Sequence, residues 1–429
     1  MKILLLNQCF YPDVVATAQQ LSEAARGLAE RGHEVTVISS RHGYDDPRLR
    51  FSRHERWKDI EIIRLRSISL GKSKAWKRAL NFASFTLACA FRLAVTPRHD
   101  AVVALTSPPL ISWLASMFTR IKGGHLIFWV MDLNPDEAIA AGWLKADSVA
   151  AKLLGTLLNS SMSRTDRIVV LDRFMKDRIV AKGIPEEKIA VIPPFSDDAV
   201  RYDAQGREEF RTAHKLSGKF VVMHAGNHSP CHSLDTLLES AAELQERDDI
   251  VFCFVGGGSE LCKVRSYARA QQRENICCLP YQPQAKLAGL LSAADLHVVV
   301  MGEAFRGIVH PSKIYNILAT GLPFLYIGPD ESHMGDIIAR IGNKGLAMHA
   351  CKGDVSSVSR QILNSADKAR CEVAPERTIL ARDFSGSTLL PRLIAEIESA
   401  GWERGADFNL CVSARIDTSV GDQATTIID

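Results

Sequence analysis

Short, almost wholly apolar runs recur along this chain, each giving way to a loop and then to an amphipathic stretch, and no other feature limits the possible folds as much. The opening KILLLNQCFYPD (2–13) is such a run entering a loop, and residues 16–39 continue as a helix, a turn and a second run. Leu21, Ala24, Ala25, Leu28 and Ala29 share one helical face, Arg31-Gly32-His33 stops the helix, and Val35, Val37 and Ile38 resume as a strand. Strand, helix and strand in that order form a βαβ unit, which commits the chain to a parallel sheet with right-handed crossovers. AVVALTS (101–107), LIFWVMD (126–132) and RIVVLD (167–172) read as further strands of that sheet, with helices around 110–121 and 149–163 between them.

A second cycle starts after IPPF (192–195) and a polar linker, with KFVVMHAGN, IVFCFVGGG, NICCLPYQ, LHVVVMG, PFLYIG and GLAMHA as strands and helical stretches between. At 429 residues the chain exceeds the size at which one core stops growing. The expected fold class is therefore α/β, with two Rossmann-like doubly wound domains facing each other across a cleft. We place an N-terminal domain over 1–195 and a second over 196–385. A helix over 386–403 should pack back toward the first domain, followed by a polar tail, 404–429.

With 46% hydrophobic and 24% charged residues and a net charge of +3, the composition is that of a globular protein and argues against a nucleic-acid partner. Ten cysteines without CxxC or metal-ligand spacing fit a reducing cytoplasm, and MKILLLNQ reads as a first strand rather than a secretory leader. Residues 72–95 break the pattern, because Lys72, Lys74, Trp76, Lys77 and Arg78 head an apolar stretch that also holds Asn81 and Arg92. Those charges disfavour a membrane span, leaving a helix lying on the cytoplasmic face of an anionic membrane or a buried helix with snorkelling lysines.

The most informative stretch chemically is 303–327, EAFRGIVHPSKIYNILATGLPFLYI. Pro311 and Ser312 suit a helix entry with Ser312 as cap, and free N–H groups at such a start attract anions. Lys313 and Arg306 stand close in sequence, so a diphosphate is the natural ligand, although an ordinary capped helix between strands has the same pattern.

Several strings now meet in one order: residues 11–39, WVMDLNPDEA (129–138), SRTDRIVVLDRFM (163–175), IPEEKIAVIPPF (184–195), HAGNHSPCHSLDTLLESA (224–241), FCFVGGGSE (252–260), LPYQPQAKLAGLLSAADLHVVV (279–300) and VHPSKIYNILATGLP (309–323). Together they resemble the retaining glycosyltransferases of family 4, of GT-B architecture, in the branch that builds bacterial surface polysaccharides of the colanic acid and O-antigen type. The resemblance implies transfer of a sugar from a nucleoside diphosphate sugar to an acceptor, here a lipid-linked saccharide at the inner membrane, with anomeric retention and no metal ion.

The family holds the nucleotide in its C-terminal domain, where a strand-end glycine precedes an Arg and, five residues later, a Lys. Gly226 matches, but those positions read Asn227 and His232, so more of the leaving-group stabilisation should fall on Lys313, Arg306 and the helix start with Pro311 and Ser312. His228 and His232 are alternatively surface loop histidines. The family's pair of glutamates falls on Ile308 and Asn316; Glu303 is the nearest carboxylate on the donor side, and Asn316 could bond a ribose hydroxyl. Gly257, within Gly256-Gly257-Gly258, suits either close approach to a ligand or a tight turn, and Tyr281-Gln282 is implied in base recognition. On the acceptor side the family's paired glycines are replaced by Val15-Ala16-Thr17, making Thr17 an acceptor or phosphate contact. Its His-Asp pair reads Met131-Asp132, which leaves Asp132 facing the anomeric centre or the acceptor hydroxyl, or else capping a helix in a turn. Alternatives are a non-hydrolysing UDP-N-acetylglucosamine 2-epimerase on the same architecture, or an inactive scaffold of a polysaccharide assembly complex.

Overall fold

The computed structural model describes residues 1–44, 46, 48–71, 75–342, 347–368 and 380–399. Lys72, Lys74, the last residues of the helix expected over 386–403 and the tail 404–429 lie outside the described residues.

The first sheet comprises β1 (Lys2–Leu6), β2 (Glu34–Ser40), β3 (His54–Trp57), β4 (Ile60–Leu65), β5 (Ala101–Ala104), β6 (His125–Trp129), β7 (Arg167–Val170) and β8 (Ile189–Val191). Its order is β3-β4-β2-β1-β5-β6-β7-β8, parallel except for the β3–β4 hairpin. Its helices are α1 (Ala16–Glu30), α2 (Ala75–Val95), α3 (Ile111–Lys122), α4 (Asp136–Ala140), α5 (Val149–Arg164) and α6 (Arg173–Ala181). The second sheet comprises β9 (Phe220–Asn227), β10 (Ile250–Gly257), β11 (Ile276–Leu279), β12 (Leu296–Val300), β13 (Phe324–Ile327) and β14 (Ala347–Ala350), all parallel in the order β11-β10-β9-β12-β13-β14. Helices α7 (Ala204–Ala213), α8 (Asp235–Glu243), α9 (Ser259–Ala270), α10 (Leu287–Ser292), α11 (Lys313–Thr320), α12 (His333–Ile341), α13 (Val355–Asp367) and α14 (Gly386–Ser399) complete it.

Strands buried on both faces explain why the runs are continuously apolar: Ile3, Leu4, Leu5 and Leu6 of β1 are all fully buried, as is Val298 of β12. The strand order reverses beside β1 in the first sheet and beside β9 in the second, and a crevice opens at the carboxyl ends of strands at such a point. The β9–β12 reversal therefore fixes where a ligand can sit in the second domain.

The two domains touch. One apolar cluster runs from the first sheet through Phe305, Ile308 and Val309 to Tyr315 and Tyr326, and the Leu133 N–H donates to the Ile308 carbonyl at 2.9 Å. At the end of the first domain Gln20 pairs with both main-chain groups of Phe195, donating at 2.8 Å and accepting at 3.2 Å, and so fixes the chain where it leaves for the second. Gly307 (φ +66°) lies so near α6 that a Cβ there would stand 2.6 Å from the Phe174 carbonyl oxygen. At the end of the described chain α14 lies on α1, where a Cβ on Gly27 would meet Ile394 at 2.7 Å, and Glu398 bonds Arg31 and His33 at 2.8 Å each.

Helix α2 has two apolar faces. Asn81, Phe85, Cys89 and Leu93 are buried, whereas Trp76, Leu80, Leu87, Phe91 and Val95 form an exposed stripe in which Phe91 is 74% and Val95 73% exposed. Among the described residues no helix is long and apolar enough to cross a membrane.

Candidate active site

Strand β9 is apolar up to His224, which is fully buried. Its Nδ1 lies 2.9 Å from the Val298 carbonyl oxygen of β12; a carbonyl only accepts, so the proton sits on Nδ1 and Nε2 is left as an acceptor. That Nε2 receives Nζ of Lys313 at 2.9 Å. Two residues further along β12, the Val300 carbonyl holds Nδ1 of His232 in the same way at 2.7 Å. His228 completes the group: its ring stands 4.9 Å from that of His224, it is fully buried, and the main chain of Gly226, Gly257 and His224 lies close enough to favour its protonated form against burial.

Burial, then the neighbouring Lys313 charge, drives all three rings toward the neutral form: His224 falls well below the usual range, His228 to about 4 and His232 to about 3. Burial likewise brings Lys313 down to about 7. The reading of His228 and His232 as surface loop histidines is thereby corrected, since His228 is fully buried and the Val300 carbonyl of β12 holds the half-buried His232 inside the site.

Lys313 opens α11, and its aliphatic stem crosses the end of β9, where a Cβ on Gly226 (φ +118°) would come 3.5 Å from its Cε. Ser312 follows Pro311 in helical conformation and makes no side-chain capping bond, contrary to the expectation. The glycine triplet is a packing requirement: Gly256 (φ +137°) passes the main chain of Gly226 so closely that a Cβ would lie 2.0 Å from its carbonyl oxygen. Gly257 meets Tyr281, whose ring would be 2.7 Å from a Cβ there. These two share the adjoining ends of β10 and β11, where Asn227 is exposed and Gln282 bonds the Pro280 carbonyl at 3.0 Å.

Other candidates are placed elsewhere. Arg306 turns to Glu331 at 2.6 Å with its guanidinium 5.6 Å from the Phe174 ring, so its charge goes to an ion pair beside α6 and not to Lys313. Glu303 is exposed on a short turn, although the adjacent Gly302 N–H donates to the Cys231 carbonyl at 2.9 Å and ties that turn to the histidine loop. Asn316 accepts from the Asp197 N–H at 3.1 Å and so faces the interdomain linker. There Gln284 also bonds Asp197 at 3.2 Å and Gln19 bonds Gln284 at 2.9 Å, with half-buried Thr17 at the start of the same α1.

From the first domain the loop after β6 brings Asp132, whose carboxyl is pushed up to about 8 by burial and then by the charge of Glu137. Glu137 is itself raised by burial; it accepts from Asn134 at 3.0 Å, and Cys231 Sγ of the second domain lies 3.9 Å from its other oxygen. Asp132 does not cap α4, whose N-terminal flank is Pro135. Sequence reasoning missed His224, Glu137 and Cys231; a lone polar residue ending an apolar strand was the signal for the first, and the acid at the end of DLNPDE for the second.

A second buried group bridges the domains. His310 Nδ1 lies 2.7 Å from the Asp172 carboxylate and its Nε2 2.6 Å from the Tyr315 hydroxyl, while His333 stacks on it at 3.8 Å with Nδ1 3.7 Å from the same Asp172 oxygen. Two rings lying face to face cannot both aim an in-plane lone pair at one ion, so this trio is a buried hydrogen-bonded cluster rather than a metal centre. Asp172, which also caps α6 by accepting from the Met175 N–H at 2.8 Å, is lowered to about 2 because its partners outweigh burial.

Residues 16–194 match the glycosyl transferase 4-like domain. WcaI of Escherichia coli (strain K12), named as a colanic acid biosynthesis glycosyl transferase, is 24% identical over 75% of this chain and 82% of its own. Among solved structures, Anabaena HepE in complex with UDP-glucose superposes with a TM-score of 0.68 at 14% identity, covering 93% of this chain and 100% of that one. WaaG, a glycosyltransferase involved in lipopolysaccharide biosynthesis, superposes at 0.66 with 16% identity, covering 92% and 99%. With the fold, the cleft and these likenesses together, the chain is a glycosyltransferase of GT-B architecture, similar over residues 16–194 to the glycosyl transferase 4-like domain.

Proposed function

We propose that the chain is a retaining transferase that moves a sugar from a nucleoside diphosphate sugar to a lipid-linked saccharide, a polyprenyl diphosphate carrier being the expected lipid, in the making of a bacterial surface polysaccharide. One observation carries this: Lys313 and its histidines stand at the β9–β12 reversal, with the Asp132–Glu137 pair brought against the same loop from the opposite domain. A cation at one wall and sugar-binding carboxyls at the other are what cleavage of an anomeric carbon–diphosphate bond requires. Negative charge grows on the departing diphosphate, and Lys313 with the α11 start is preorganised to receive it. Asp132, keeping its proton near neutrality, both donates and accepts, as a partner of a sugar hydroxyl must. The reading needs no metal, since this chain's own cation serves the leaving group, and it assigns no covalent nucleophile. The WcaI and WaaG names support the polysaccharide setting, and the UDP-glucose held by HepE supports the donor class.

The α2 stripe supports work at the cytoplasmic face of a membrane, because residues 62–99 carry no acidic side chain and the exposed Trp76, Phe91 and Val95 offer apolar area beside Lys77, Arg78 and Arg92.

The test is a panel of nucleotide sugars incubated with a lipid-linked acceptor and read by mass. One donor should be consumed with transfer, and Lys313→Ala should lower kcat at least about tenfold through lost stabilisation of the transition state. Near-wild-type turnover in that variant removes Lys313 from the site, and epimerised donor without acceptor would favour an epimerase.

A further inference from the structure

The donor wall is built from bases with no acid among them. Lys313 bonds to the neutral nitrogen of His224, and among the described residues no carboxylate pairs with it. His224, His228 and His232 face one another and Lys313, and the charges acting on them are their own and that of Lys313. Beyond them, Cys231 on the same loop faces Glu137 and Asp132 across the cleft, and both carboxyls are raised toward their neutral forms. Four bases thus stand together at the end of β9 with no acid among them, His224 and His228 fully buried and Lys313 and His232 half-buried, an arrangement that favours an anion as the missing partner.

From this arrangement we infer that the diphosphate of the donor enters together with a proton, so that donor binding is coupled to proton uptake by the Lys313–histidine cluster. This rests on the donor-site reading above. In the family pattern a permanent Arg and Lys would supply fixed charge, but here Asn227 and His232 occupy those positions and the cation is conditional. The proton comes from water or buffer and lodges on Nζ of Lys313, which His224 holds through a neutral Nε2 because its Nδ1–H is already given to a β12 carbonyl; no bond to the sugar is made or broken in this step. The sign follows from linkage. A base that is half neutral near pH 7 when empty, and holds its proton more tightly beside two phosphates, binds the anion best below neutrality and progressively worse as pH rises.

The experiment is calorimetric titration of the full chain with UDP-glucose, UDP-N-acetylglucosamine and GDP-mannose, whose diphosphate diesters do not titrate near neutrality. At about pH 8, in buffers of different ionisation enthalpy, the sugar that binds should take up between about half and one proton per site, with affinity falling up to about tenfold per pH unit above neutrality. Lys313→Arg, permanently charged, should bind with uptake close to zero, and His232→Gln should flatten what pH dependence remains. Binding by the wild type with no net proton transfer overturns the inference while leaving the donor site intact. So does unchanged uptake in Lys313→Arg, which would place the proton elsewhere. Failure of all three sugars to bind at any pH overturns the donor-site reading itself, and this inference with it.

Discussion

Asp132 and Lys313 face the same loop from opposite domains, and burial moves both toward neutrality, the carboxyl to about 8 and the amine to about 7. For Asp132 the folded form holds its proton across a range in which the unfolded chain has lost it. Its contribution to stability is thus full below about pH 4 and is lost as pH rises toward 8. Asp132→Asn removes that loss: its urea midpoint should exceed wild type by a margin that opens above about pH 4 and levels off past 8, and it should retain more transfer activity than Asp132→Ala. The histidines act oppositely, since a ring lowered by burial withdraws stability as pH falls from about 6.5 toward its folded value. At this scale the sequence spoke unevenly. The place of Lys313 was legible because Pro-Ser-Lys announces a helix start, and α11 begins there. Arg306 stood as near in the chain, but its partner Glu331 lies 25 residues on, and sequence proximity says nothing of such a pairing. His224 was silent because an internal strand residue reads as core until a β12 carbonyl fixes its tautomer.

The elements were easier to read. Parallel strands buried on both faces leave unbroken apolar runs, and the helices between them carry one apolar stripe, so the doubly wound pattern surfaced directly. The β3–β4 hairpin did not: it lies at a sheet edge, alternates exposed and half-buried residues along β3, and turns through Lys58 and Asp59 at positive φ where no glycine marks the bend. The α2 helix explains its own ambiguity, since the sheet takes one apolar face and a second remains uncovered. Replacing Phe91 and Val95 by serine should leave stability within about 0.5 kcal/mol of wild type, because both lie outside the core, yet move protein from the membrane fraction to the supernatant on flotation with anionic vesicles. Unchanged flotation would assign the stripe another partner.

In the whole molecule the domains are joined by more than a linker. Asp172, His310, His333 and Tyr315 make a buried polar bridge, and Arg173–Asp336 at 2.8 Å adds an exposed pair beside it. Asp172→Asn preserves the α6 cap while removing the charge that His310 faces, and should lower the unfolding free energy by about 3 kcal/mol at neutral pH. The wild-type contribution should itself fade as pH drops through the carboxylate range toward 2, closing the gap between the two proteins. None of this bridge could be found from the chain alone, because Asp172 and His310 are separated by 138 residues and become neighbours only when the sheets face each other.

The seat of α14 on α1 also sets an order in time. Residues 16–30 leave the ribosome well before Leu390 and Ile394, whose side chains pack against Gly27, have been made. The nascent first domain must therefore wait with that helix face bare, open to chaperones or to a neighbouring nascent chain, until α14 arrives to cover it.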